Sequence, residues 1–304
     1  VTVSLNPGTA PLGVYENLLA ISTNVPNLPN FTTTYQLPVT LTIDDSSGGG
    51  DAMVQIIHNS PDPAVASVDV YLGDELVLED FNFRNATPFL ELPAGIELEV
   101  TLTPNGLSLE EGVRIPLTLE NGKNYYAIAT GVLDPDMFAS SPTSSDISFR
   151  LEVVENAELS SEAENFRAIM MHGSTDAPAV DMYLQGVEEP IMENAVFGDI
   201  TEYLTFSENE IYNLDLHVSD QYFTTYQLDT SDLGGKTAFV MASGFVAPEA
   251  NQDGEEFALF VALSDGSIVL LDSFPSSIND NSTPLSYSLA QNYPNPFNPT
   301  TTIN

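Results

Sequence analysis

Two histidines set the chemical question. His58 is followed by Ser60 and Asp62, with Asp69 further on, and His172 is followed by Ser174 and Asp176, with Asp181 further on. Histidine, serine and aspartate together are the parts of a nucleophilic hydrolase, in which the imidazole takes the serine proton and the carboxylate orients the imidazole. The spacing argues against that chemistry. A residue and its i+2 neighbour on an extended chain project the same way about 6.5–7 Å apart, beyond the reach of a nucleophile–base hydrogen bond. The chain also lacks the glycine-flanked turn that exposes a catalytic serine. The better reading is a folding motif. His58, Ser60, Asp62 and Asp69 form one turn, and His172, Ser174, Asp176 and Asp181 form the other. In each, the histidine and the later aspartate (Asp69 or Asp181) hydrogen-bond the turn backbone, while Asp62 or Asp176 makes local turn contacts. No catalytic or cofactor-binding residue is expected, and the chain is expected not to be an enzyme.

Metal binding is the second chemistry to weigh. One histidine per motif supplies one ligand, whereas a structural zinc takes four. Calcium has weak candidates in Asp134 and Asp136 and in Asp253 and Glu255, which lie in two oxygen-rich loops at similar places in the chain. Neither loop follows the twelve-residue calcium spacing, so solvated acidic loops are the expectation and no cofactor is assigned. Tyrosines such as Tyr222 and Tyr226 are the candidates for a glycan platform, but the chain has no tryptophan to anchor one, and core or edge packing is the expectation for most of them.

Charge narrows the partners. The 304 residues carry 44 acidic against 6 basic side chains, a formal net charge of −38. A surface of that sign repels nucleic acid and anionic membranes, and no apolar run approaches the ~20 residues of a membrane-crossing helix. With no cysteine, disulfides and thiolate sites are absent. Hydrophobic residues reach 42%, enough for real cores. The chain begins at Val1 with no signal peptide ahead of it, which reads as a processed mature protein or a piece of a longer one.

The elements that must position the motifs are strands. Residues 1–43 read as strands between Pro, Gly and Asn breaks: Val1–Leu5 and Val39–Ile43 alternate apolar and polar, and Tyr15–Ile21 carries a further run. Asp44–Asp51 is an acidic Gly/Ser linker. Residues 52–155 form a first repeat. Its motif is followed by the alternating run Ile96–Leu102 and by Tyr125–Gly131, which is apolar on both faces like a central strand. Residues 156–165 are a short acidic link with room for a helical turn, and they leave the two repeats separately folded but close. Residues 166–274 form the second repeat, in which Tyr212–Val218 answers the Ile96 strand and Thr237–Gly244 answers the Tyr125 strand. Ala129 and Gly131 then fall on Ala242 and Gly244. Residues 275–304 are a tail. Short strands at intervals of roughly 8–15 residues predict an all-β fold of tandem antiparallel Greek-key sandwiches, immunoglobulin-like in kind.

Three resemblances add to this reading. The run Gly13-Val14-Tyr15, then Leu19 to Asn24, then Pro38 to Ile43 resembles the last strands of immunoglobulin-like modules in secreted bacterial proteins. The paired motif, with the Leu92-Pro93-Ala94-Gly95 turn, resembles a domain-of-unknown-function family of secreted bacterial proteins with the pattern H-x-S-P-D-A-P-x-V-D-V-Y. The second copy departs from it with Thr175 for proline and Ser207-Glu208-Asn209 for the Pro-Ala-Gly turn. This resemblance implies a secreted β-sandwich without known activity. The stretch Ser288 to Ile303, with Gln291-Asn292-Tyr293-Pro294-Asn295-Pro296-Phe297-Asn298-Pro299, resembles the opening of the C-terminal sorting domain of type IX secretion cargo. It implies export across an outer membrane and an extracellular or cell-surface location.

Two functional classes follow. The first is a non-enzymatic structural or adhesive array: a spacer, adhesin or filament subunit with protein partners. In the filament version the 1–43 half-module self-associates by accepting a strand from a neighbouring chain, for which Leu285–Ala290 is the candidate. The alternative is a set of accessory modules of a larger secreted enzyme, holding glycan or protein.

Overall fold

The computed structural model describes residues 50–274 in full, together with the backbone pairing of four strands outside that range. Strands β1 (Gly13–Thr23) and β2 (Thr33–Ile43) form an antiparallel pair with Gly13 opposite Ile43. β21 (Tyr293–Asn298) and β22 (Thr300–Thr302) form another. The expected strand Val1–Leu5, the linker residues 44–49 and the segment Leu285–Ala290 lie outside the described residues.

The first repeat contains β3 (Asp51–Asn59), β4 (Ser67–Leu72), β5 (Glu75–Asn82), β6 (Leu90–Pro93), β7 (Glu97–Pro104), β8 (Val113–Thr118), β9 (Asn124–Thr130) and β10 (Arg150–Glu155). They form two four-stranded sheets, β10-β9-β3-β6 and β5-β4-β7-β8. The second repeat contains β11 (Asn165–His172), β12 (Val180–Leu184), β13 (Pro190–Ala195), β14 (Leu204–Ser207), β15 (Ile211–Val218), β16 (Gln221–Asp229), β17 (Thr237–Ser243) and β18 (Ala258–Leu263). The short β19 (Ile268–Leu270) and β20 (Ser273–Phe274) extend it. Its sheets run β14-β11-β17-β18-β19 and β13-β12-β15-β16-β20, the same order with one edge strand added to each. All-β sandwiches are therefore the architecture. One pair in each repeat departs from antiparallel pairing: β3 runs parallel to β9, and β11 parallel to β17.

Strand periodicity explains three apolar layers. Along β9, Tyr125, Ala127 and Ala129 point into the first sandwich, while Tyr126 and Ile128 point out of it. Along β17, Ala238, Val240 and Ala242 point into the second sandwich, while Phe239 and Met241 point out. The two outward faces meet. Ile57, Tyr126 and Ile128 from the first repeat pack with Ile169, Met171, Phe239, Met241 and Phe260 from the second in a continuous buried layer. Tyr125–Gly131 is thus apolar on both faces because the sister repeat covers the outer one.

This is where the structure departs from separately folded repeats. The link carries no helical turn: Ala157 is buried in the shared layer, and the Glu158 N–H donates to the Tyr203 hydroxyl at 2.7 Å. Equivalent residues also touch each other across the layer. The Tyr126 and Phe239 rings meet edge to face at 4.9 Å, and the Asn59 amide donates to the Gly173 carbonyl at 3.1 Å. Position meeting its own equivalent is the contact pattern of a two-fold, isologous interface, here made within one chain.

Candidate functional site

Each motif sits where the first strand of its repeat leaves the sandwich. In the first, His58 ends the inward face of β3, and its Nε2 donates to the Val65 carbonyl at 2.7 Å. That assignment leaves Nδ1 as the acceptor, and it receives the Ser60 N–H at 3.3 Å. The Ser60 hydroxyl does not face the imidazole. It donates to the Gly131 carbonyl at 2.6 Å. Asp62 accepts from the Ala64 N–H at 2.8 Å as the cap of the 3-10 turn Pro63–Val65, and from the Leu133 N–H at 2.9 Å with its other oxygen. The turn is therefore stapled to the loop that follows β9.

The second copy repeats the staple with more bonds. Ser174 donates to the Gly244 carbonyl at 2.7 Å, and His172 Nε2 donates to the Pro178 carbonyl at 3.1 Å. Asp176 accepts from the Val246 and Ala247 N–H groups and from the Asn251 amide, each at 2.9 Å. Gly131 and Gly244, whose carbonyls the serines take, share φ of +82°. A Cβ at Gly131 would sit 2.4 Å from the Ser148 carbonyl oxygen, so both the backbone angle and the close approach require glycine there.

Two details correct the sequence reading. Asp62 and Asp176 do more than make local turn contacts, since each reaches a loop about 70 residues away in the chain. Asp69 and Asp181 do not bond the turn at all. Asp69 accepts from the Asp80 N–H at 2.9 Å, and Asp181 from the Asn194 N–H at 2.6 Å. Asp80 and Asn194 have φ of 52° and 44° and lie where the pairing of β5 and β13 shifts register, so each aspartate pins a bulge. Asp69→Ala is expected to cost about 1 kcal/mol, the worth of one partly exposed hydrogen bond, read from the urea midpoint.

Burial makes the motif pH-sensitive. Desolvation lowers the His58 pKa from 6.5 to about 4, partly opposed by the hydrogen bond to Val65, and desolvation likewise lowers that of His172. Below pH 6.5 the unfolded chain takes up a proton that folded His58 refuses, so stability falls as the pH drops towards about 4. For His58 the loss is about 3 kcal/mol over that window, absent above pH 6.5. A His58→Gln protein should show a flatter stability curve between those limits when unfolding is measured in a pH series.

The remaining candidates are scattered. Asp134 and Asp136 are exposed around the 3-10 turn Pro135–Met137, where the Asp134 carboxylate accepts the Asp136 N–H at 3.3 Å. Asp253 and Glu255 are exposed on the equivalent loop after β17. Among the described residues no three His, Asp or Glu side chains converge as metal ligands. Tyr226 is no surface platform, being 5% exposed inside the second sandwich, while Tyr222 is half-buried against His217. Sequence reasoning missed the receiving side of the staple, namely Leu133, Val246, Ala247 and Asn251. The one signal available was the alignment of Gly131 with Gly244.

Fold and motif define a class: a pair of β-sandwiches whose polar turn residues are spent on holding loops. A family model described as "Domain of unknown function (DUF4397)" matches residues 52–183, and this part of the chain is similar to that family. The match begins with β3, covers the whole first repeat, and runs into the second motif copy as far as Tyr183. No curated protein matches the chain. Among the described residues no helix is long and apolar enough to cross a membrane.

Proposed function

We propose that the chain is a non-catalytic structural or adhesive segment of a secreted or surface protein, in which the two repeats act as one stiff block. The observation that carries this reading is the apolar layer shared by β3, β9, β11, β17 and β18, with Tyr126, Phe239 and Phe260 wholly buried between the repeats. A flexible string of binding modules has no need of such a layer. The motif supports the same reading: both serine hydroxyls and both imidazoles are bonded to backbone groups, which leaves no serine–histidine pair poised for proton transfer. Under this proposal the second repeat is a further copy of the domain that the family describes. The C-terminal run similar to a type IX sorting signal directs export to the cell exterior. Self-association through the terminal segments remains part of the proposal, with its strand-donating segment outside the described residues.

The test uses tryptophan reporters, since the chain contains none. Phe149→Trp and Phe257→Trp place one at equivalent, partly buried sites in the two repeats. Coincident denaturant transitions are expected. Two separated transitions would show independent modules and overturn the stiff-block reading.

A further inference from the structure

The two sandwiches differ inside. Between the sheets of the first, at the motif end, there is space of about 20 Å³. In the second, the corresponding space is a cavity of about 700 Å³, within the ~300–1,000 Å³ typical of sites for drug-sized ligands. One residue difference falls next to this space. Phe81 pairs with Val68 in the first repeat, and its ring stacks over His58 at 6.1 Å. The equivalent partner of Val180 is Ala195, so no counterpart ring covers His172.

The cavity walls are apolar and adaptable. Met170, Met182 and Met192 join Leu216, Val240 and Leu259 along them, and methionine fits its flexible thioether to varied shapes. His172, Thr224 and Tyr226 also line the cavity, and Tyr226 lies within electrostatic reach of the Arg84 guanidinium. The cavity opens beside Phe223 and Val246, which are 57% and 47% exposed, and Glu249 and Glu256 stand in its lining. Arg84 is already bonded to the Ser243 and Glu256 carbonyls, and with a net charge of −38 behind them those carboxylates outweigh it and repel an anionic head group.

We infer that the second sandwich is a binding site for a small apolar molecule with an uncharged polar end, such as a medium-chain alcohol. The apolar body lies among the methionines, and the polar end bonds to the Tyr226 hydroxyl. In the first sandwich the corresponding space is only about 20 Å³, with Phe81 among its walls. This goes beyond a structural role and does not depend on it, since a stiff spacer can carry a ligand or none.

The experiment titrates the full chain with N-phenyl-1-naphthylamine, a neutral apolar fluorophore. Saturable binding of one probe per chain with blue-shifted emission is expected, displaced by 1-decanol and not by decanoate at equal concentration. Ala195→Phe, which installs the residue of the first sandwich, should weaken binding about tenfold or more. Val218→Glu, at a partly exposed lining position, should do the same if Ala195→Phe fails to fold. Leu76→Glu, an exposed change on the first repeat, should leave binding unchanged. Absence of saturable binding, equal affinity in all variants, or displacement by decanoate as effective as by decanol would each overturn the inference.

Discussion

Tyr126→Ala should destabilise the protein by about 3–5 kcal/mol, the range for truncating a large buried aromatic. The ring is wholly buried, meets Phe239 at 4.9 Å and Phe89 at 5.5 Å, and its hydroxyl lies 3.0 Å from that of Tyr203. Removing it opens a void at the point where the two repeats face each other, so the loss falls on their coupling. With the paired tryptophan reporters in place, the variant should split the single transition into two. Tyr126→Phe keeps the ring and loses only the hydroxyl contact, for which about 1 kcal/mol is expected. A Tyr126→Ala protein as stable as the parent would show that the shared layer contributes little to folding.

Asp176→Ala should be the most damaging change in either motif, at about 3–5 kcal/mol. Its carboxylate accepts from the Val246 and Ala247 N–H groups and the Asn251 amide. Deleting it strands buried donors, and each charge-assisted bond of this kind is worth roughly 1.5–3 kcal/mol. Asp62→Ala removes two such bonds and should cost about 2–3 kcal/mol. The order of the two, measured by thermal unfolding, tests the staple directly. Faster amide exchange at Val246 and Ala247 in the Asp176 variant would locate the loss. Equal melting temperatures for Asp176→Ala and the parent would mean that the staple is ornamental.

Some of this was legible in the residues. Alternation of apolar and polar side chains in Tyr212–Val218 and its like marks a strand because successive side chains face opposite ways. The doubled His-x-Ser signature marks two repeats because equivalent chains fold to equivalent turns. The imidazole–backbone bonding also followed, since a histidine beside a tight turn finds backbone partners within a few residues. The destination of Asp62 and Asp176 was not legible. Their partners lie about 70 residues on, and no local pattern encodes which loop is folded back against a turn. Asp69 was misplaced for the same reason: its partner Asp80 is local in sequence, but the register shift that points the Asp80 N–H at it exists only once β4 and β5 pair.

The His58 and His172 motifs lie at the boundary between the two levels. By itself the sequence determined the all-β class and the doubled motif, because strand period and turn chemistry act over a few residues. Only the tertiary structure decided that the outer faces of β9 and β17 close on each other, that the aspartates staple distant loops, and that one sandwich is filled where the other holds a cavity. Those outcomes depend on packing volume and on which surfaces meet. The exchange of Phe81 for Ala195 shows the difference: in sequence it is one apolar residue for another, and in the fold one residue stacks a ring on His58 at 6.1 Å while the other brings none to His172.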